Sequence, residues 1–223
     1  MPVPDNTYFG ETPEGNEISY GEVREIADDQ RKIEILKSRL DSFLLRQINS
    51  LSLTEENGNY RVWSPFPLTV LTFLAVETLG HVISDVAKIR AQNQNEQSKI
   101  LVTPIYQKMD VRLSHKPSKT FNKAFEVLHR KDDRKSLKHY SDIIHKYQRN
   151  TFNHGYQGRG VYLSHQLDGT WQIVEDGGYL ILNPYRFWIL FKEAYESIFL
   201  DILLNRNEDY RKNALKYFRR LLN

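Results

Sequence analysis

Residues 68–90 read LTVLTFLAVETLGHVISDVAKIR, and the reading of this stretch decides the fold class. Leu, Val, Phe and Ala occupy nearly every side of a helix over its first half, whereas a surface helix keeps one polar face. A helix apolar all round is buried from the outset, so the chain is built around a central helix that other elements must cover. Pro65-Phe66-Pro67 marks its start, where the first helical turn tolerates proline.

Outward from this helix the neighbouring segments are helical too. Between Gly21 and about Ser52, Ile33, Leu36, Leu40, Phe43, Leu44 and Leu51 recur at three- and four-residue steps, which predicts one long amphipathic helix. Asn57-Gly58 then breaks the chain. Downstream, the polar AQNQNEQ connects to helices expected over 98–113, with Pro104 making it imperfect, and 119–130. Over 135–152, Leu137, Tyr140, Ile144 and Tyr147 mark one face, Ile143 lies alongside, and Gly155 is a natural terminator. The period then changes. GVYLS, WQIVE and YLILN, separated by Asp168-Gly169 and Asp176-Gly177-Gly178, predict three short strands in an antiparallel β-meander near residues 160–183. Alternation of Tyr162, Trp171, Ile173, Tyr179 and Ile181 suggests one packed face. Asn183-Pro184 opens the helix FWILFKEAYESIFLDILL, and a basic helix, RNEDYRKNALKYFRRLL, ends the chain. The expected fold is mainly α. A single helical domain spans 21–223, and residues 1–20 form a flexible arm without a core pattern of their own.

Composition narrows the chemistry. The 223 residues hold no cysteine, which excludes disulfides, thiolate catalysis and Cys-ligated metals. Lys+Arg 31 against Asp+Glu 28 gives a formal charge of +3, which permits a phosphate-rich partner without requiring one. No apolar run approaches 18 residues and the first residues lack a basic-then-apolar leader pattern, so no membrane association and a cytoplasmic location are the expectation. GxGxxG, GxxxxGK[ST], GxSxG, HExxH and EF-hand patterns are all absent. His81 and Asp85 stand at i,i+4 and could share a metal, but no third ligand is near in sequence, and a hydrogen-bonded pair is the simpler reading.

One segment stands out: Arg149-Asn150-Thr151-Phe152-Asn153-His154-Gly155. Asn150 and His154 are i,i+4 neighbours on one helical face, with Arg149 beside them. The carbonyl end of the helix favours a protonated imidazole. An imidazole that moves a proton, beside a guanidinium that neutralises phosphate charge, suits attack by a ribose 2′-OH on its own phosphodiester. Two other Arg–His pairs, Arg134 with His139 and Arg159 with His165, lack both the following Asn and the following Gly.

RNTFNHG resembles the RNxxxHG form of the Arg-x4–6-His motif of the HEPN superfamily, small helical bundles many of which are metal-independent ribonucleases. The resemblance covers residues 65–205 loosely and Arg149–Gly155 specifically. It implies an HEPN-like bundle with the meander as an addition, and an endoribonuclease with catalytic Arg149, His154 and Asn150. It also implies 2′,3′-cyclic phosphate products, no cofactor, a homodimer whose motifs share a cleft, and a toxin–antitoxin or phage-defence setting. In some relatives a nucleotidyltransferase partner modifies a tyrosine near the motif; Tyr147 and Tyr156 are placed for that.

Supporting residues carry two readings each. Glu77 is an acid in the most apolar helix: it pairs with Arg149, as an acid does in some relatives, or it reaches a helix edge. Tyr156 and Arg159 lie where a base could stack and a phosphate bind, and could equally be turn residues. Lys146 extends a basic strip or is simply solvated, and the same choice holds for Arg211, Lys212, Lys216, Arg219 and Arg220. Two non-nuclease alternatives use the same residues. One is a non-catalytic HEPN-like module that binds nucleotide, RNA or protein. The other is a helical interaction protein in which the motif is structural.

Overall fold

The computed structural model describes residues 3–51, 54–56, 59–61, 65–85, 89, 94–128, 138–153, 161–164, 169–175 and 177–223, with side chains described except at 54–56, 59–61, 94–96, 98, 128 and 147–153. The chain is mainly helical, with small sheets at the edges.

Helix α4 (Pro65–Ile83) is the central element. Leu68, Phe73, Ala75, Val76, Leu79, Val82 and Ile83 are all buried. Thr69 and Thr72 are buried as well, and each hydroxyl donates to the carbonyl four residues back, at 2.7 Å, so neither is left unsatisfied. Although polar residues such as Glu77 and His81 interrupt its apolar run, α4 has the length and mean composition to cross a membrane, and 56% of its most apolar window is buried within the protein. Its partners are α5 (Gln94–Met109), α8 (Pro184–Leu203) and α9 (Glu208–Leu221), with α8 the most extensive. Helix α8 presents Phe187, Trp188, Phe191, Tyr195, Ile198, Phe199 and Ile202 to the core, an aromatic stripe at helical spacing. It starts where the sequence places it: the Asn183 side chain accepts from the Arg186 N–H at 3.1 Å and Pro184 fills the first position.

The single long helix expected over 21–52 is instead interrupted. Helix α1 (Tyr20–Glu25) stops at Ile26, and α2 (Asp29–Leu40) restarts under an N-cap by Asp28, whose carboxylate accepts from Gln30 and Arg31 N–H groups. A π-helical turn (Asp41–Leu45) then leads into α3 (Arg46–Asn49). Tyr195 donates to Asp41 at 2.7 Å and Lys37 bonds the other Asp41 oxygen at 2.9 Å, which ties the wide turn to α8. Residues 1–20 are not a coreless arm either. Strands β1 (Tyr8–Glu11) and β2 (Glu17–Ser19) form a hairpin that inserts Phe9, fully buried, against Tyr20 and Phe218. One aromatic residue is enough to dock a hairpin, and a single residue makes no periodic pattern.

Asn57-Gly58, expected to break the chain, lies outside the described residues; it separates strands β3 (Thr54–Glu56) and β4 (Asn59–Arg61), an antiparallel pair. Helix α5 continues through Pro104, and a 3₁₀ turn (Val111–Ser114) leads towards α6 (Lys119–Leu128) and α7 (Tyr140–Asn153).

Strands β5 (Val161–Leu163), β6 (Trp171–Val174) and β7 (Tyr179–Leu182) exist as expected, but not as a meander. The order is β5-β7-β6, with β7 antiparallel to β6 and parallel to β5. The five residues expected on one face are split between two. Register places Trp171 and Ile173 with Val161, Leu180 and Leu182 on the inner face, and Tyr162, Tyr179 and Ile181 on the outer one. Gly178, with φ of +62°, lets the β6–β7 turn lie against the backbone of α6 at Ala124 and Phe125.

Asp110, between α5 and the 3₁₀ turn, accepts from the Arg112 backbone and guanidinium and from Trp171 Nε1 at 3.2 Å, so it pins β6 to the bundle. Burial alone would raise this carboxyl, but the Arg112 and Trp171 hydrogen bonds outweigh it and hold it below the ordinary aspartate value. A lowered folded value means that its stabilisation is complete above the unfolded pKa of about 3.9 and is lost as pH falls through the folded value. Asp110→Asn is therefore expected to lose about 1–2 kcal/mol at neutral pH. In urea titrations the gap to wild type should close below about pH 3; a gap independent of pH would contradict the charge-based account.

Candidate functional site

Helix α7 carries the start of RNTFNHG, so what holds α7 sets the site. At its first turn Asp142, nearly buried, accepts from the backbone N–H groups of Lys138 and His139 at 2.8 and 3.0 Å, and binds Lys99 of α5 at 2.9 Å. This one carboxylate both caps α7 and clamps it to α5. Tyr140 packs against Phe121 and Trp171, and Ile143 and Ile144 enter the core. Asp142→Ala strands Lys99 and two backbone donors, and is expected to cost about 2 kcal/mol, read as a lower urea midpoint with an unchanged slope.

Arg149 and Asn150 lie on the last turns of α7, which ends at Asn153. Their side chains, like that of Tyr147, are outside the described set, and His154, Tyr156 and Arg159 lie outside the described residues altogether. Lys146 is half-buried on α7. The structure brings together a group one turn below Arg149. The His145 ring, four residues before Arg149 and so on the same face, lies 6.5 Å from the ring of Tyr106 on α5. Tyr106 is buried and its hydroxyl has no hydrogen-bond partner among the described residues. Burial first, and then the charge of Glu77 on α4, push the Tyr106 phenol well above its ordinary value.

Glu77 is half-buried and α4 touches α7, so the sequence-expected acid stands on a helix that packs beside the motif-bearing one. Tyr106 and His145 were not legible as site residues. The only sequence signal was the i,i+4 spacing of His145 and Arg149, which means little until α5 is known to pack there.

Of the His81 and Asp85 pair, the acid is engaged by a lysine rather than shown beside the histidine. Asp85 binds Lys216 of α9 at 3.1 Å. Burial lowers the His81 pKa; the Glu77 charge opposes that shift and the Arg220 charge adds to it. Among the described residues no three His, Asp or Glu side chains are grouped as metal ligands. In the basic C-terminal helix, Arg211 is structural, donating to Gln30 Oε1 at 2.9 Å and to the Ile202 carbonyl at 3.1 Å, while Lys212, Arg219 and Arg220 are exposed. Comparison of the chain with protein-family models, with curated proteins and with solved structures gives no match.

Proposed function

We propose that this chain is an HEPN-type endoribonuclease that cuts RNA without a metal. The 2′-oxygen attacks the adjacent phosphorus, the 5′-oxygen leaves, and the products carry 2′,3′-cyclic phosphate and 5′-hydroxyl ends. His154 moves the proton, Arg149 neutralises charge on the phosphate, and Asn150 orients one of them. Tyr156, Arg159 and Lys146 contact the RNA. The observation that carries the reading is RNTFNHG itself, whose Arg149 and Asn150 are helical residues at the end of a helix clamped at its start. Glu77, on a neighbouring helix, supports Arg149. The active unit is a homodimer, and the setting is toxin–antitoxin or phage defence, with an antitoxin or a nucleotidyltransferase as a further partner.

The test is incubation of a labelled single-stranded RNA with the protein in EDTA. The expected result is cleavage with cyclic-phosphate ends. Intact RNA, with folded dimeric protein, would defeat the proposal and favour a non-catalytic binding module.

A further inference from the structure

Arg39, at the end of α2, is stacked on rings rather than paired with an acid among the described residues. Its guanidinium lies between the rings of Phe9 and Phe43, 4.3 and 4.8 Å from their centroids. It has no carboxylate partner among the described residues, and its Nη1 is buried without an acceptor. Stacking of this kind fixes the guanidinium plane and keeps a positive charge beneath the Phe43 ring.

Rings extend from it on both sides. Phe43, placed by the π-helical turn, is 49% exposed, and Tyr8 of the hairpin, 43% exposed, lies 5.9 Å from it. In the other direction α9, which packs on α2, carries Tyr217, and the Arg220 guanidinium is 5.4 Å from the Tyr217 ring. Arg220 is exposed and, like Arg39, has no carboxylate partner among the described residues. Two exposed rings, Tyr8 and Phe43, therefore stand beside the Arg39 cation, and α9, which packs on α2, adds Tyr217 and Arg220. The acids on its own strand and turn are already engaged, Glu11 by Arg46 and Ser42, Asp41 by Lys37 and Tyr195.

We infer that this strip is a binding surface for single-stranded RNA, separate from the α7 motif. Two solvent-open rings offer stacking to any base, the exposed Arg220 guanidinium matches a phosphate, and the half-buried Arg39 adds positive charge beside the rings. A duplex hides its base faces and gains nothing from the rings. An acidic protein would use the cations but not the exposed rings.

The test is fluorescence anisotropy of a labelled 20-nucleotide oligouridine on the full chain carrying His154→Ala, so that no RNA is cut. Tyr8→Ser with Phe43→Ser should weaken binding about tenfold. Arg39→Gln and Arg220→Gln should each weaken it, and Arg220→Gln should reduce the slope of log K against log salt by about 0.7. Phe43, Tyr8 and Arg220 are exposed, so these variants keep their melting transitions even if Arg39→Gln does not. Unchanged affinity in the Tyr8→Ser, Phe43→Ser, Arg220→Gln triple variant overturns the inference. So does binding of duplex RNA or polyglutamate as tight as that of oligouridine. Because the readout is binding by a cleavage-deficient chain, an inactive wild type leaves the inference standing, and RNA held elsewhere leaves the nuclease proposal standing.

Discussion

On the proposed ribonuclease reading, Arg149→Ala and His154→Ala are each expected to abolish RNA cleavage while the bundle stays folded. Loss of a proton-transferring histidine removes about 10²–10⁴ in rate, and loss of the charge that stabilises the phosphorane-like transition state removes about 10²–10³. The double variant should be little slower than either single one, because both groups act on one transition state and their losses do not add. Arg149→Lys separates charge from shape: an ammonium keeps the charge but loses the planar fork, so partial activity is expected. Glu77→Gln, if that carboxylate holds the guanidinium, lowers the rate less than Arg149→Ala and leaves the affinity for RNA unchanged. The measurement is the single-turnover rate on labelled RNA in EDTA, with end-group analysis. Wild-type rates in a folded His154→Ala protein would remove the histidine from the chemistry.

The helical frame was legible because its signals are dense. The stretch 68–83, apolar nearly all round at its start, reads as a helix covered on every side, and the aromatic stripe of α8 sits behind an unambiguous Asn-Pro start. What was not legible depended on single residues or on partners distant in sequence. Phe9 is the fully buried anchor of the hairpin, and Asp28 cuts a continuous periodic pattern with a cap that reads in sequence as one more acid on a charged face. The strands of the small sheet were recognisable, but strand order is not a local property: β5 pairs with β7 rather than β6, and this sends Tyr162 and Trp171 to opposite faces. The motif was visible as seven consecutive residues. Its surroundings were not, because Tyr106 and His145 meet only once α5 and α7 are packed, and Tyr217 and Arg220 join the side of Arg39 only once α2 and α9 are.

Gly80→Ala is expected to destabilise the protein by about 3 kcal/mol, although helix propensity argues the other way. In an exposed helix interior the same exchange gains about 1 kcal/mol, since alanine loses less backbone entropy. Gly80 sits where the backbones of α4 and α5 lie close together: a β-carbon there would stand 2.5 Å from the Leu101 carbonyl oxygen and 3.0 Å from its carbon. These are backbone atoms, so no side-chain rotation relieves the contact and α5 must move as a unit. It is poorly placed to move. Val102, Ile105 and Tyr106 are buried in the core, and Lys99 is tied to Asp142 at the start of α7. Displacement of α5 therefore also displaces the helix that carries Arg149. Urea denaturation should show a lower midpoint, and hydrogen exchange should show faster amide exchange in α5 and α7 than in α8 and α9. Thr78→Ala, on the exposed side of α4, is the control and should be within about 0.5 kcal/mol of wild type. If Gly80→Ala raises the midpoint as propensity alone predicts, α4 and α5 do not meet at Leu101.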